Sequence, residues 1–256
     1  MNLTNLIDEL RTNILNDRSD RIEDSESDYL WTDATLVRYI DEAQRRLAAE
    51  GFVIRDGTTA LITQVTLVAG QTVYPLHNTV IAVMSARYDV DTYDLRRGGH
   101  SIFNNFRQND EDGWDLAQSA SLSPGRPIAF STDEQVSADG DTDDTFQIVN
   151  LRVYPAPSTA EAGDVIYLRV CRLPQDRLNV DTPEMSPEVP ELHHIPMLDW
   201  AASLALRIVD QDGGNATASE RFAKKFEMYI KTARRTALRK MHAPVTWGFG
   251  KSGWSW

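Results

Sequence analysis

Apolar residues repeat at helical spacing near both ends of this chain and at period two through its middle, and that switch limits the folds open to it. Leu3, Leu6, Ile7, Leu10 and Ile14 predict an amphipathic helix over residues 2–16. The acidic stretch Asp17–Asp28 has no apolar period and reads as a loop. A second helix has a clear start. Thr32 suits the N-cap, Asp33 the first turn, and Trp31 and Leu36 the two positions of a hydrophobic staple. Leu36, Ile40, Ala43 and Leu47 line one face, and Gly51 is expected to end it.

From Phe52 the period falls to two. Strands are predicted at Leu61–Val68, Val73–Leu76, Val80–Tyr88, Ile128–Ser131, Phe146–Tyr154 and Val165–Leu173. Residues 89–127 are polar with scattered aromatics and read as a long loop. Five of the 11 prolines lie between Pro174 and Pro196, which predicts an extended linker leading into a helix with Pro196 in its first turn. That helix, through Val209, is apolar on most sides and should be buried. Gly213-Gly214 mark a turn. Thr217 and Glu220 fit a capping box, with Asn215 a competing cap. Phe222, Phe226, Tyr229, Ile230, Ala233 and Ala237 stripe a last helix ending near Met241.

The expected fold is α+β. N- and C-terminal helix pairs form an antiparallel bundle, with a β-rich domain inserted and an extended tail at the C-terminus. The boundaries are 1–51 for the first pair, 52–175 for the β-rich domain and 176–195 for the linker. Residues 196–241 form the second pair and 242–256 the tail.

Charge is unevenly spread. The net formal charge is -12, yet Thr217–Trp256 carries nine Lys/Arg and two Asp/Glu. The rest, with 17 basic and 36 acidic residues, is strongly acidic and repels nucleic-acid phosphates. The basic helix either faces a partner or DNA through Lys224, Lys231, Arg235 and Arg239, or is a solvated face balancing the body. Cys171 is the only cysteine, so an intrachain disulfide and a cysteine-based zinc site are excluded. No apolar run suits a membrane span, and no secretion signal opens the chain, which points to synthesis in a cytoplasm.

Candidate chemistry mostly fails. Gly248, Gly250 and Gly253 spell G-x-G-x-x-G, but too few residues follow for the helix a dinucleotide needs. Gly250-Lys251-Ser252 mimics the end of a P-loop, but Val245 stands where its first glycine belongs. Asp139, Asp141 and Asp143 have calcium-loop spacing, but Asp144 replaces the turn glycine and Asn150 the bidentate glutamate, so a solvated acidic loop is the better reading. His193 and His194 are adjacent and cannot share a helical metal face. No G-x-S-x-G elbow occurs. No catalytic residue, cofactor or metal is expected.

The tail stands apart. Trp247, Phe249, Trp254 and Trp256, with Lys251 among them, are separated by glycine and serine and cannot bury their own rings in a helix. They read as anchors for a partner's groove, the alternative being a tail folded back on its own core.

The string from Trp31 to Arg45 resembles the second helix of head-to-tail adaptor proteins of tailed bacteriophages. Leu151-Arg152-Val153-Tyr154-Pro155-Ala156-Pro157 and Tyr167-Leu168-Arg169-Val170 resemble their paired strands. Val189 to Leu198 resembles the start of their third helix. The likeness covers most of the chain outside residues 89–145. It implies a dodecameric homo-oligomer ring beneath the portal protein in the virion neck. The helices would form its wall, the C-terminal segment would reach the portal, and the β region would project outward or down toward a tail or nozzle protein. Double-stranded DNA would pass through the lumen without sequence-specific binding, and no membrane is involved. A tail-tube or nozzle subunit is a second reading. A carbohydrate-active enzyme is a third, but no carboxylate pair stands out by spacing.

Overall fold

The computed structural model describes residues 1–17, 29–89, 91, 94–98, 123–138, 145–208 and 213–241. Among these residues the chain is mixed helix and sheet, with two hydrophobic cores.

Helix α1 (Leu3–Glu9) starts where the Asn2 side chain accepts the Asn5 N–H at 3.0 Å. It buries Leu3, Leu6, Ile7 and Leu10, as the period predicts. From Leu10 to Leu15 it continues with π-helical hydrogen bonding and stops at Asn16, in the left-handed region (φ 55). Helix α2 (Asp33–Gly51) begins as expected, with Thr32 Oγ1 accepting the Thr35 N–H at 3.3 Å, and Trp31 and Leu36 are both buried. It ends at Gly51, as expected, but the left-handed residue comes one position later. Gly51 is the last helical residue, and Phe52 takes the left-handed cap at φ 53, its N–H bonding Ala48 O. Gly51 allows close packing instead. A Cβ there would meet Val53 Cγ1 at 3.2 Å and Ala233 Cβ at 3.8 Å.

The strands form two sheets. In one, β8 (Val165–Arg172) pairs antiparallel with β1 (Arg55–Asp56), β2 (Gln64–Thr66) and β4 (Val80–Tyr88). The other has the order β3 (Val73–Pro75), β7 (Thr145–Tyr154), β6 (Ala129–Ala138) and β5 (Arg96–Arg97), with β5 parallel to β6. The two sheets share a core. Val83, Ile166, Leu168 and Val170 come from the first, and Phe130, Leu151 and Val153 from the second.

One strand prediction fails in part. Residues Ala60–Thr63 form a single helical turn, α3, and only Gln64–Thr66 pairs as a strand. Alternation cannot distinguish the two here, because the turn also buries Ile62 while leaving Leu61 77% exposed. Strand β6 runs seven residues beyond the predicted Ser131 end. The loop expected over 89–127 contains β5 and the buried Leu95, while residues 99–122 lie outside the described residues.

Helices α4 (His194–Ile208) and α5 (Gly213–Met241) pack with α1 and α2 around the other core. Pro196 lies in the first turn of α4, as expected, after a short 3-10 turn at Glu191–His193. Gly213-Gly214 already belong to α5, so Thr217 and Asn215 lie inside the helix and not at its start. At the α4–α5 contact Trp200 stacks on Phe226 (5.7 Å between centroids), and the Arg46 guanidinium of α2 lies 4.0 Å over the Trp200 ring. Ser219 Oγ donates to Ser203 O at 2.7 Å.

Lys225 Nζ reaches Asp199 Oδ1 at 2.8 Å. Burial pushes the Asp199 carboxyl up, and Lys225 pulls it back down. Lys225→Met is therefore expected to cost about 1–3 kcal/mol at neutral pH, because it leaves a buried carboxylate unpaired. A folded-state pKa raised further above the unfolded value costs stability only as pH rises past that value. The deficit should thus shrink as pH falls toward the ordinary value of 3.8, which urea unfolding at two pH values would show.

The proline-rich segment is tied down along its length. The Leu178 N–H donates to Asp41 Oδ1 at 3.1 Å, and the Glu188 N–H to Gln44 Oε1 at 2.9 Å, both on α2. Leu178 and Val189 enter the helical core.

Candidate functional site

Helix α5 has two opposed faces because its apolar residues keep the helical period for about four turns, from Phe222 to Ala237. Phe226, Ile230 and Ala237 are buried against the core. Lys224, Lys231, Arg235 and Arg239 fall at i, i+7, i+11 and i+15, on the opposite side, and all four are exposed. They therefore form one stripe. Lys224 makes a surface pair with Glu220 at 3.7 Å. Lys231, Arg235 and Arg239 make no ion pair or side-chain hydrogen bond among the described residues. Two apolar side chains interrupt the stripe, Met228 (70% exposed) and Leu238. Cations around exposed apolar side chains suit a protein surface better than solvent alone, because the apolar groups gain from being covered.

Two other basic residues of α5 serve the fold. Lys225 is taken up by Asp199, and Arg234 lies 5.4 Å from the Phe52 ring. The tail residues Trp247, Phe249, Lys251, Trp254 and Trp256 lie outside the described residues, as does the aspartate run at 139–144.

The adjacent histidines have different structural tasks. His193 Nδ1 bonds Tyr229 Oη at 2.8 Å, joining the start of α4 to α5. His194 Nε2 bonds Val189 O at 3.0 Å. Burial pulls the His194 pKa below its ordinary 6.5, and the Val189 carbonyl only partly offsets this. The unfolded chain then binds the proton more tightly, so stability is expected to fall as pH drops below about 6.5. His194→Gln should flatten that part of a thermal-midpoint-against-pH curve. Cys171 is buried, and its thiol is pushed up to about 11 by that burial, which removes it from thiolate chemistry at neutral pH.

A second charged surface was not visible in the sequence. A cleft of about 470 Å³ opens on the β1–β8–β4 sheet, lined by Arg55, Arg87, Arg169, Tyr167 and Asp94. Strand register assembles it, since Arg87 stands opposite Tyr167, Ser85 opposite Arg169, and Arg55 opposite Cys171. Arg55 Nη2 also donates to Ala237 O at 2.8 Å, so the cleft adjoins the C-terminal part of α5. The only sequence signal was the polar phase of two strand patterns, which cannot show that residues 55, 87 and 169 meet.

Among the described residues, no three His, Cys, Asp or Glu side chains stand close enough to hold a metal ion, and no helix is long and apolar enough to cross a membrane. No curated protein matches the chain. A family model described as SU10 adaptor protein matches residues 1–248, nearly its whole length. The chain belongs to the SU10 adaptor protein family, one of phage head-to-tail adaptors.

Proposed function

We propose that the protein is a non-enzymatic virion component that forms a dodecameric ring beneath the portal and links the capsid vertex to the tail. Membership of the adaptor family supports a place in the virion and contacts with other head and tail proteins. In this reading the helices form an antiparallel bundle that walls the ring. The β-rich part, residues 52–175, faces the tail or nozzle, and residues 176–195 link the two. Genomic DNA passes through the lumen. The acidic body favours that passage, because like charge keeps phosphates from adhering.

The observation that carries the portal assignment is the outer face of α5. Three cations without partners among the described residues flank exposed Met228 and Leu238, directly before the aromatic tail. The tail residues Trp247, Phe249, Lys251, Trp254 and Trp256 and the α5 stripe together form one long docking surface. Lys231→Glu combined with Arg235→Glu and Arg239→Glu is expected to weaken portal binding at least tenfold, mainly through slower association, and to abolish its salt dependence. Imaging of virions carrying a tagged copy tests the location. Density directly under the portal supports the adaptor ring, and density lower in the tail replaces it with a tail-tube or nozzle subunit.

A further inference from the structure

Strand register gathers three exposed arginines on one face of the β1–β8–β4 sheet. Along β8, Ile166, Leu168 and Val170 enter the core that the two sheets share, so Tyr167 and Arg169 point to the outer face. Arg87 stands opposite Tyr167 on one side of β8, and Arg55 stands opposite Cys171 on the other. Both partners lie two residues from Arg169. Arg55 and Arg87 are therefore its diagonal neighbours, about 7–8 Å away and within reach of long side chains. Gly57 helps to place the Arg169 stem. A Cβ there would meet Arg169 Cγ at 3.6 Å, so the stem lies over bare backbone at the border of the cleft. The Arg87 guanidinium lies 6.0 Å from the Tyr167 ring, which also lines the cleft.

Like charges this close repel, and an anion seated among them relieves the repulsion. Among the described residues, the cleft's own carboxylates fall short of that. Asp56 is committed to Arg172, Thr58 and Thr59, which leaves Asp94 against three guanidinium groups. The cleft holds about 470 Å³, the size of an ordinary ligand pocket. The same strand already shows the chemistry, since Arg172 holds two carboxylates, Asp56 and Glu188. Guanidinium forks fit carboxylates and phosphates alike. The rest of the chain favours carboxylates. Outside Thr217–Trp256 it carries 17 basic and 36 acidic residues. A DNA duplex has a charge every ~1.7 Å, so one seated on the cleft would carry phosphates across that acidic body on both sides. A short protein segment can keep its carboxylates inside the cleft.

We infer that the Arg55–Arg87–Arg169 cleft binds a carboxylate-bearing segment of the tail-side protein that joins this adaptor. This rests on the reading above that the β-rich part faces the tail, and names the surface that makes the contact. The ligand chemistry is tested on the full chain with a labelled glutamate-rich peptide, read by fluorescence anisotropy, beside the same peptide with glutamine for glutamate. The glutamine peptide should not bind. Arg87→Glu with Arg169→Glu is expected to weaken binding of the glutamate peptide at least tenfold without lowering the thermal midpoint. Arg55 is left unchanged because it also donates to Ala237 O. Arg87→Lys with Arg169→Lys keeps the charge and loses the fork, so it should weaken binding by a smaller, measurable factor. Lys231→Glu with Arg235→Glu and Arg239→Glu should leave peptide binding nearly unchanged. The partner is tested in assembled particles with a benzophenone side chain placed at Ser85, which lines the cleft opposite Arg169. Its photo-crosslink should map, by mass spectrometry, to an acidic stretch of the tail-side protein.

Peptide binding that is absent, that survives the cleft reversal, or that is lost with the α5 reversals instead, overturns the carboxylate site and leaves the tail-facing reading intact. A short DNA duplex that displaces the peptide from the cleft and binds it more tightly overturns the ligand class. Cleft-dependent peptide binding with a crosslink to the portal, to another copy or to nothing overturns the tail-side partner, and with it the orientation proposed for the β-rich part.

Discussion

Arg172→Ala is expected to lose about 3–5 kcal/mol of stability, the range for removing one member of a buried ion-pair network. Arg172 stands at the end of β8 with its side chain only 10% exposed. Its Nε donates to Asp56 Oδ2 at 2.8 Å, and its Nη1 donates to Glu188 Oε2 at 2.6 Å and to Leu173 O at 2.9 Å. Glu188 also accepts the Gln175 and Asp176 N–H groups, while its own N–H bonds Gln44 of α2. One guanidinium thus ties the strand core, the proline-rich segment and the helical core together. Removing it leaves two carboxylates facing each other in a largely dry site.

The loss should depend on pH. Burial by itself raises the Asp56 carboxyl, but N–H bonds from Thr58 and Thr59, the Thr59 hydroxyl and Arg172 outweigh it and hold Asp56 well below the usual carboxylate range. A depressed carboxylate contributes stability above its unfolded pKa and loses it as pH falls through the folded value. The Arg172→Ala deficit should therefore be largest near neutral pH and narrow below about pH 4, as measured by urea unfolding. Combining it with Asp56→Asn and Glu188→Gln should recover part of the loss, because the stranded charges go with it. If both variants are equally unstable at every pH, shape and not charge holds this junction.

How legible each element was depended on how local its cause is. The start of α2 was readable because Thr32, Trp31 and Leu36 act within one turn. The two faces of α5 were readable because burial of Phe226, Ile230 and Ala237 repeats the sequence period, and the same period puts Lys224, Lys231, Arg235 and Arg239 outside. The misreadings arose where two local rules conflict or where tertiary packing decides. Gly51 ends α2 as read, yet it stays helical, tight against Val53, and the left-handed conformation falls to Phe52, which no residue preference announces. Leu61–Thr63 alternate like a strand, but a helical turn satisfies Ile62 equally well. Buried Arg11 holds Trp31 O at 2.5 Å and pairs with Asp33, a contact across twenty residues that no pattern announces. The arginine cleft was the least visible of all, since residues 55, 87 and 169 meet only once β8 has paired with both β1 and β4.

Truncation of residues 243–256 is expected to abolish portal binding while leaving the fold intact. Phe226 and Ile230 of α5, which close the helical core, both remain in the shortened chain. Its thermal midpoint should therefore stay within about 2 °C of wild type, since the truncation removes no residue of the described core. Binding should respond far more. An aromatic anchor in a desolvated pocket contributes about 2 kcal/mol or more, so losing two weakens Kd about a thousandfold. The family match adds a way to divide the tail. It ends at residue 248, so Trp247 lies within it and Phe249, Lys251, Trp254 and Trp256 lie beyond. A chain stopped after Gly248 keeps Trp247 and separates the two parts. If it binds the portal like the full chain, docking belongs to the segment matched by the family, and the last aromatics have another partner. If it binds no better than the chain lacking 243–256, docking depends on the four residues beyond the match. If both truncated chains bind at full strength, portal recognition rests on the α5 stripe alone, where the Lys231, Arg235 and Arg239 reversals already probe it.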